Sequence, residues 1–342
     1  MPHKIRNLWP QIADYEALLV AWKDVRQRKT TKPLILRYES NLAVNLGRLE
    51  TQLLDGSYEP KRHFEFWIHD PKARLIQAPC LEDRIVQHAV CNVLRMPVQQ
   101  RLIEQTYSCL IGRGTHRCSE QFLKYLDNPR WRYALKLDIS KFFYSIDHTC
   151  LMQELERILG CQKTLDLLER FIKSNGSGVG IPIGASTSQI LANLALNPLD
   201  HFARRELKLG TYLRYCDDMI ALFETAAEAN AAMEAIRQKA AEIKLTLNSK
   251  SGIHYVPDGV DWVGYRHWPG KRLIRKRNLK RLRHKAPSAS IETVMAYLSH
   301  AKGTASIACV ANTFWRDAPE HRCRIHAWVK EHAPHCYPDC GD

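Results

Sequence analysis

Three aspartates carry the strongest chemical signal in this chain. Asp138 closes an alternating apolar run over residues 132–139, and Asp217 and Asp218 lie between two β-prone runs, 211–215 and 219–223. Carboxylates at the ends of apolar strands lose hydration and repel one another unless a cation joins them. Brought together, three of them form an oxygen-rich site for a hard divalent ion such as Mg²⁺, with Mn²⁺ an acceptable substitute. Two such ions about 4 Å apart activate a hydroxyl nucleophile and steady a departing pyrophosphate during in-line displacement. Neighbouring residues of a strand-like hairpin face opposite sides, so Asp217 and Asp218 are not equivalent. Asp138 and Asp217 are expected as the main ligands, with Asp218 accessory. Alone, an Asp-Asp pair in a turn is ordinary, because Asp is a favoured turn residue.

The elements that must position these groups are mixed. Helical spacing of Leu8, Ile12, Leu18, Leu19 and Trp22, and of Leu42, Leu46, Leu49 and Leu53, predicts two helices in the first 55 residues, with Gly56 closing the second. Residues 64–68 and 74–77 read as a hairpin, and residues 81–94 as a helix. Thr225 and Glu228 form a capping box opening an Ala-rich helix with Ala229, Met233, Ile236, Ala240 and Ile243 on one face. Strands and helices mix without regular βαβ alternation, which predicts an α+β fold.

Charge narrows the partners. The 342 residues hold 50 Lys and Arg against 36 Asp and Glu, a formal net charge of +14. Such an excess calls for a polyanion, nucleic acid first. Nine of the fifteen residues from 271 to 285 are Lys or Arg and none is acidic. That run reads as a helix with Leu273, Ile274, Leu279 and Leu282 inward. The longest uncharged stretch, 174–199, is broken by Gly and Pro and is too polar for lipid, so no membrane partner is expected. The first residues lack a secretory pattern, and the 11 Cys lack a disulfide framework, so a reducing cytoplasmic setting is expected.

Order and context turn the carboxylates into a stronger signal. The stretch from Lys136 through Asp138 and Phe143 to Asp147-His148 resembles motif A of reverse transcriptases. Gly180-Ile-Pro-Ile183-Gly184, running on to Gln189 and Asn193, resembles motif B, and Tyr215-Cys216-Asp217-Asp218 the motif C box. Leu245-Thr-Leu-Asn248-Ser-Lys250 resembles motif D, Trp262-Val-Gly264-Tyr265 the primer-grip turn, and Pro71-Lys72-Ala-Arg74 the fingers hairpin. The similarity is to bacterial retroelement-type enzymes. It sits nearest the reverse transcriptases of diversity-generating retroelements and the defence-associated antiphage group.

The resemblance implies a right-hand polymerase: an N-terminal helical extension (1–60), interleaved fingers and a palm with an antiparallel sheet (61–270), and a basic helical thumb and tail (271–342). It implies an RNA-directed DNA polymerase using two Mg²⁺ ions held by Asp138, the Ile139 backbone carbonyl, Asp217 and Asp218. Lys72 and Arg74 are implied to meet the triphosphate, and Phe143 to exclude a 2′-hydroxyl. Ile183, Gly184 and Gln189 would border the nascent pair, and Lys250 is a candidate general acid. Ile183 replaces the Gln of many relatives, which bears on fidelity. Gly264, Tyr265, Lys271, Arg272, Arg275, Lys276, Arg277, Lys280, Arg281 and Arg283 would lie along template and primer, in sequence-independent, salt-sensitive contacts.

The expected partners are a dedicated noncoding RNA, a primer or cDNA strand, dNTPs and an accessory protein. The Tyr-Cys-Asp-Asp box and lone-protein length favour antiphage defence over an error-prone enzyme of a diversity-generating element. A catalytically idle RNA-binding protein is the alternative of another class. Zinc at Cys323, His326, Cys336 and Cys340 is not expected, because the spacing matches no standard finger.

Overall fold

A computed structural model describes residues 4–69, 73–174, 176 and 178–334. The chain opens with helices α1 (Trp9–Ile12), α2 (Tyr15–Arg26), α3 (Pro33–Glu39) and α4 (Leu42–Asp55). Four helices stand where spacing predicts two. The Asp14 carboxylate accepts from Ala17 N and restarts the chain as α2, while Pro33 opens α3 at a position where its missing N–H costs nothing. Gly56 ends α4 at φ +81°, as predicted.

A hairpin of β1 (Phe64–Ile68) and β2 (Arg74–Ala78) stands apart as a two-stranded sheet and leads into α5 (Leu81–Gln99) and α6 (Thr115–Leu126). Then come β3 (Tyr133–Asp138), a helical turn α7 (Phe142–Ser145), and helices α8 (His148–Ile158), α9 (Gln162–Lys173), α10 (Ser186–Ala195) and α11 (Asn197–His201). Strands β4 (Leu213–Tyr215) and β5 (Asp218–Phe223), helix α12 (Ala226–Glu242) and strand β6 (Gly252–Tyr255) complete a four-stranded antiparallel sheet in the order β4-β5-β3-β6.

Both faces of this sheet are buried, and alternation sorts its side chains between two cores. Leu135, Leu137, Met219 and Ala221 join a large core that also holds Leu18, Trp22 and Leu49 of the N-terminal helices. Ala134, Ile220 and Leu222 face the other way, toward α6 and the C-terminal elements. Trp22 and Leu49 thus join the N-terminal helices to the core beneath the four-stranded sheet.

The C-terminal elements are a second sheet, β7 (Val260–Trp262), β8 (Tyr265–Trp268) and β9 (Lys271–Ile274), followed by helices α13 (Lys276–Lys285), α14 (Ile291–Ala301), α15 (Ile307–Asp317) and α16 (Arg322–His332). The basic run is therefore not one helix. Its first four residues are a strand paired to β8, turned by Pro269 and Gly270, the latter at φ +66°. A sequence boundary after residue 270 falls inside this hairpin. No helix among the described residues is long and apolar enough to cross a membrane.

The predicted capping box is present. Thr225 Oγ1 accepts from Glu228 N, and Glu228 Oε2 accepts from Thr225 N, both at 3.2 Å. Thr225→Ala should cost about 1 kcal/mol of stability, read from denaturant unfolding, and leave catalysis unchanged. A loss indistinguishable from zero would show that α12 is held by packing alone.

Candidate active site

Strand register decides which carboxylates meet. Asp138 is the Cα partner of Asp218 across β3 and β5, and Tyr215 is the partner of Asp218 across β4 and β5. Cys216 and Asp217 are thus the two-residue loop of the hairpin, with Cys216 in the left-handed region at φ +58°. Directly opposed residues of an antiparallel pair share a face, so Asp138 and Asp218 stand side by side on the face of Ala134 and Ile220. Asp217 caps the same edge. The register places Asp218, rather than Asp217, directly across from Asp138.

Motif D braces Asp138. Asn248 donates its backbone N–H to the Asp138 carbonyl (2.7 Å) and its side-chain amide to Asp138 Oδ2 (2.9 Å), while Ser251 Oγ accepts from Asp138 N at 3.1 Å. Asp138 and Ser140 both turn their backbone groups toward residues 246–248. The intervening Ile139 carbonyl consequently faces the opposite side, where β5 runs.

Three carboxylates and one strand carbonyl at a single sheet edge are the donor set a hard cation takes, and in that sense the residues fit Mg²⁺ or Mn²⁺. Among the described residues no three His, Cys, Asp or Glu side chains are already drawn in to ion-holding distance. The arrangement is an opposed pair with a neighbour at the tip. Arg275, its guanidinium shielded from solvent, lies close enough for the Asp218 charge to act on it. The Cys216 thiol is pushed up to about 12 by burial and by the adjacent Asp217 charge, so it stays protonated and packs.

Motifs A, B and C meet at one crevice, lined by Phe143, Gln189, Asn193 and Cys216 among others. Phe142 is buried, and Phe143 is partly buried against the same core. The turn is helical rather than strand-like, so strand alternation is not what separates the two rings. The Gly-rich loop is held from both sides. Gly180 N donates to Ile146 O (2.7 Å) and Ile181 N to Phe143 O (2.8 Å), while Gln77 N of β2 donates to Ile183 O (2.8 Å). Gly184 sits at φ +122°, and a Cβ there would meet Ile76 Cγ2 at 3.0 Å, so glycine is required where the loop passes the fingers.

Other expected residues are scattered more widely. Arg74 begins β2, exposed, and Lys72 lies outside the described residues. Lys250 is exposed in the turn before β6, its N–H donated to Asn248 Oδ1. Lys271, Lys276, Arg277, Lys280, Arg281 and Arg283 are exposed.

Two expected nucleic-acid contacts are corrected. Tyr265 is wholly buried, its hydroxyl 2.8 Å from His300 O and 2.9 Å from His300 Nδ1, so its ring cannot reach a strand. Arg272 is also buried and donates to Gly303 O and Ser119 Oγ. Both belong to the second core because they occupy its face of the β8-β9 pair, where His267 opposes Arg272 and Ile274 opposes Tyr265. Arg275 is mostly covered, 3.7 Å from Asp261. Gly264 takes φ +95° beside the His300 ring. Cys323 and His326 share α16, while Cys336 and Cys340 lie outside the described residues.

Comparison with known proteins identifies the family. Residues 60–267 match the family described as reverse transcriptase (RNA-dependent DNA polymerase). Protein YkfC of Escherichia coli is 26% identical over 290 residues, covering 70% of this chain and 74% of that protein. The group II intron-encoded protein LtrA of Lactococcus lactis is 25% identical over 168 residues, covering 46% of this chain and 28% of LtrA. Telomerase from Candida albicans, solved with a fragment of telomeric RNA, superposes with a TM-score of 0.53 at 12% identity, covering 81% of this chain and 58% of that one. The likeness to telomerase is one of fold, and it carries the right-hand architecture. With the family match spanning most of the chain and bacterial retroelement proteins among its relatives, the chain belongs to the reverse transcriptase family and is an RNA-directed DNA polymerase.

Proposed function

We propose that this enzyme copies a dedicated noncoding RNA into cDNA by two-metal-ion nucleotidyl transfer, and that the product serves antiphage defence. The observation carrying the chemistry is the opposed pair Asp138–Asp218 with Asp217 at the adjoining tip, beside the crevice shared by motifs A, B and C. The 3′-hydroxyl oxygen of a primer gives up its proton to solvent and attacks the α-phosphorus of a dNTP, the bond from that phosphorus to the bridging oxygen breaks, and pyrophosphate leaves. Asp138, Asp217, Asp218 and the Ile139 carbonyl would hold two Mg²⁺ ions. When bound, such ions make the hydroxyl a better nucleophile and neutralise the leaving group. Asn248 keeps Asp138 aimed, and the Phe143 ring borders the place of the incoming sugar. Arg74 and Lys72 would meet the triphosphate, Gly184 and Gln189 the nascent pair, and Lys250 would protonate the pyrophosphate.

The net charge of +14 and the exposed basic face of α13 support a nucleic-acid duplex lying along that helix. Replacing Lys276, Arg277 and Lys280 with Gln should weaken template–primer binding alike for all sequences. It should also flatten the salt dependence by about 2 to 3 in log–log slope. An unchanged slope in a fluorescence-anisotropy titration would move the duplex off α13.

The proposal as a whole is tested with purified protein, Mg²⁺, primed RNA and dNTPs, which should yield DNA. Sequencing RNA that co-purifies with the protein, and the cDNA made in cells with and without phage, tests the role. Phage-dependent cDNA from one noncoding RNA supports defence, whereas cDNA matching a variable gene reassigns the enzyme to diversification.

A further inference from the structure

We infer that Arg214 is a positioning residue for the polymerase reaction, fixing the Cys216-Asp217 turn from beneath and tying it to the helix that carries Gln189. The inference rests on the reading of Asp217 and Asp218 as the metal-holding carboxylates.

Arg214 lies on β4, on the face opposite that of Leu213 and Tyr215, and is fully buried with Asp200, each side chain 0% exposed. Its donors reach three chain segments. Nε donates to both Asp200 oxygens at 2.8 Å, and Nη2 to Asn193 O at 3.2 Å. Nη1 donates to Asn193 Oδ1 and to the Cys216 carbonyl, each at 3.0 Å. Asp200 also accepts from Tyr212 Oη at 2.8 Å and Thr106 Oγ1 at 3.3 Å, and the Asn193 amide donates to Ser108 O at 3.0 Å. Burial disfavours the guanidinium's charge, but the adjoining Asp200 charge and hydrogen bonds outweigh that and hold it protonated.

A buried ion pair is a poor device for stability alone, since apolar residues of similar volume usually serve as well or better. Its placement supplies another reason. The Cys216 carbonyl and the Asp217 N–H belong to one peptide plane, so gripping that oxygen sets the direction in which Asp217 leaves the turn. Cys216 holds φ +58°, a conformation that a non-glycine residue keeps only when its surroundings enforce it.

Asn193 adds coupling. It follows Gln189 by four residues on α10, so the two are neighbours on the helix surface, and both line the crevice with Phe143 and Cys216. A shift of α10 on nucleotide binding would reach the Asp217 turn through the Asn193–Arg214–Cys216 chain of hydrogen bonds.

Arg214→Lys keeps a charge beside Asp200, but a single ammonium cannot serve Asp200, Asn193 and Cys216 together. At a temperature where circular dichroism shows the variant folded, kcat should fall about 10- to 100-fold with the dNTP KM unchanged. Mn²⁺ affinity of the nucleotide-free protein, read by electron paramagnetic resonance, should weaken about tenfold. Tyr212→Phe removes a bond to Asp200 without touching Cys216. It should lower the melting temperature while leaving Mn²⁺ affinity and kcat as in the wild type.

Wild-type Mn²⁺ binding and turnover in folded Arg214→Lys would overturn the inference, as would an equal loss in Tyr212→Phe. If Arg214→Lys does not fold, Asp200→Glu, which keeps the pair while pushing the guanidinium off Cys216, is read the same way. An active Asp217→Asn enzyme would instead overturn the underlying carboxylate assignment, whatever Arg214 does.

Discussion

Asp217→Asn is expected to abolish DNA synthesis, with incorporation falling by about a thousandfold or more, or about 4 kcal/mol of transition-state stabilisation. The substitution keeps the shape of the side chain and removes one charge from the hairpin tip. The fold should survive it, because Asp217 lies in a two-residue loop between paired strands and packs into neither core. Template–primer affinity should also persist, since the basic face of α13 lies on a separate element. Asp138→Asn should be comparably severe, because Asn248 already occupies one of its oxygens and aims the other. Asp218→Asn should be milder, as expected of an accessory ligand beside Asp138 and Asp217. Single-turnover incorporation with saturating dNTP, alongside circular dichroism of each variant, measures all three. Full activity in folded Asp217→Asn would remove the two-metal proposal, and a greater loss in Asp218→Asn would reverse the ranking of the pair.

That ranking shows how far the sequence could be read. Alternation located Asp138 at a strand end and the Asp-Asp pair in a hairpin, because apolar residues at every second position must face a core. It could not give the register, since register depends on which strands pair, and β5 pairs with a strand some 80 residues earlier. The start of the basic run departs from the helical reading for a related reason. Lys271, Arg272, Leu273 and Ile274 fit a helical wheel, yet the Pro269-Gly270 turn folds them back on β8. That turn was the available signal. Arg272 and Tyr265 are expected along template and primer because their stretches resemble the basic thumb and the primer-grip turn, and only the three-dimensional partners Ser119, Gly303 and His300 draw them inside. Asn248 stands inside the motif D stretch but nothing local marks its role, and Arg214 carries no local pattern. Their importance comes from hydrogen bonds to residues 110 positions away in one case and two positions away in the other.

Phe143→Ala is the second large effect, and it concerns choice of substrate rather than rate. Phe143 is the second residue of the helical turn α7 within motif A, partly buried, with its backbone oxygen accepting from Ile181 N and its ring bordering the crevice shared with Gln189 and Cys216. The turn is fixed at both ends: Gly180 has no room for a Cβ beside the Tyr144 and Phe143 backbone, and Phe142 is anchored in the core. The Phe143 ring is therefore a wall on a rigid support, and a wall discriminates by excluding volume. A 2′-hydroxyl is one oxygen larger than hydrogen, and packing a single extra heavy atom against an unyielding surface costs about 1–3 kcal/mol. Truncating the ring to a methyl should remove that cost, so the preference for dNTP over rNTP should fall by about 5- to 150-fold. The dNTP kcat should change little, because the ring would border the sugar rather than the reacting phosphate. Competition between dCTP and CTP at one templated guanine, with products separated on a sequencing gel, reads the ratio directly. A ratio that stays at the wild-type value would show that another side chain guards the sugar, and Tyr144, exposed one residue further along the same turn, would be the next to test.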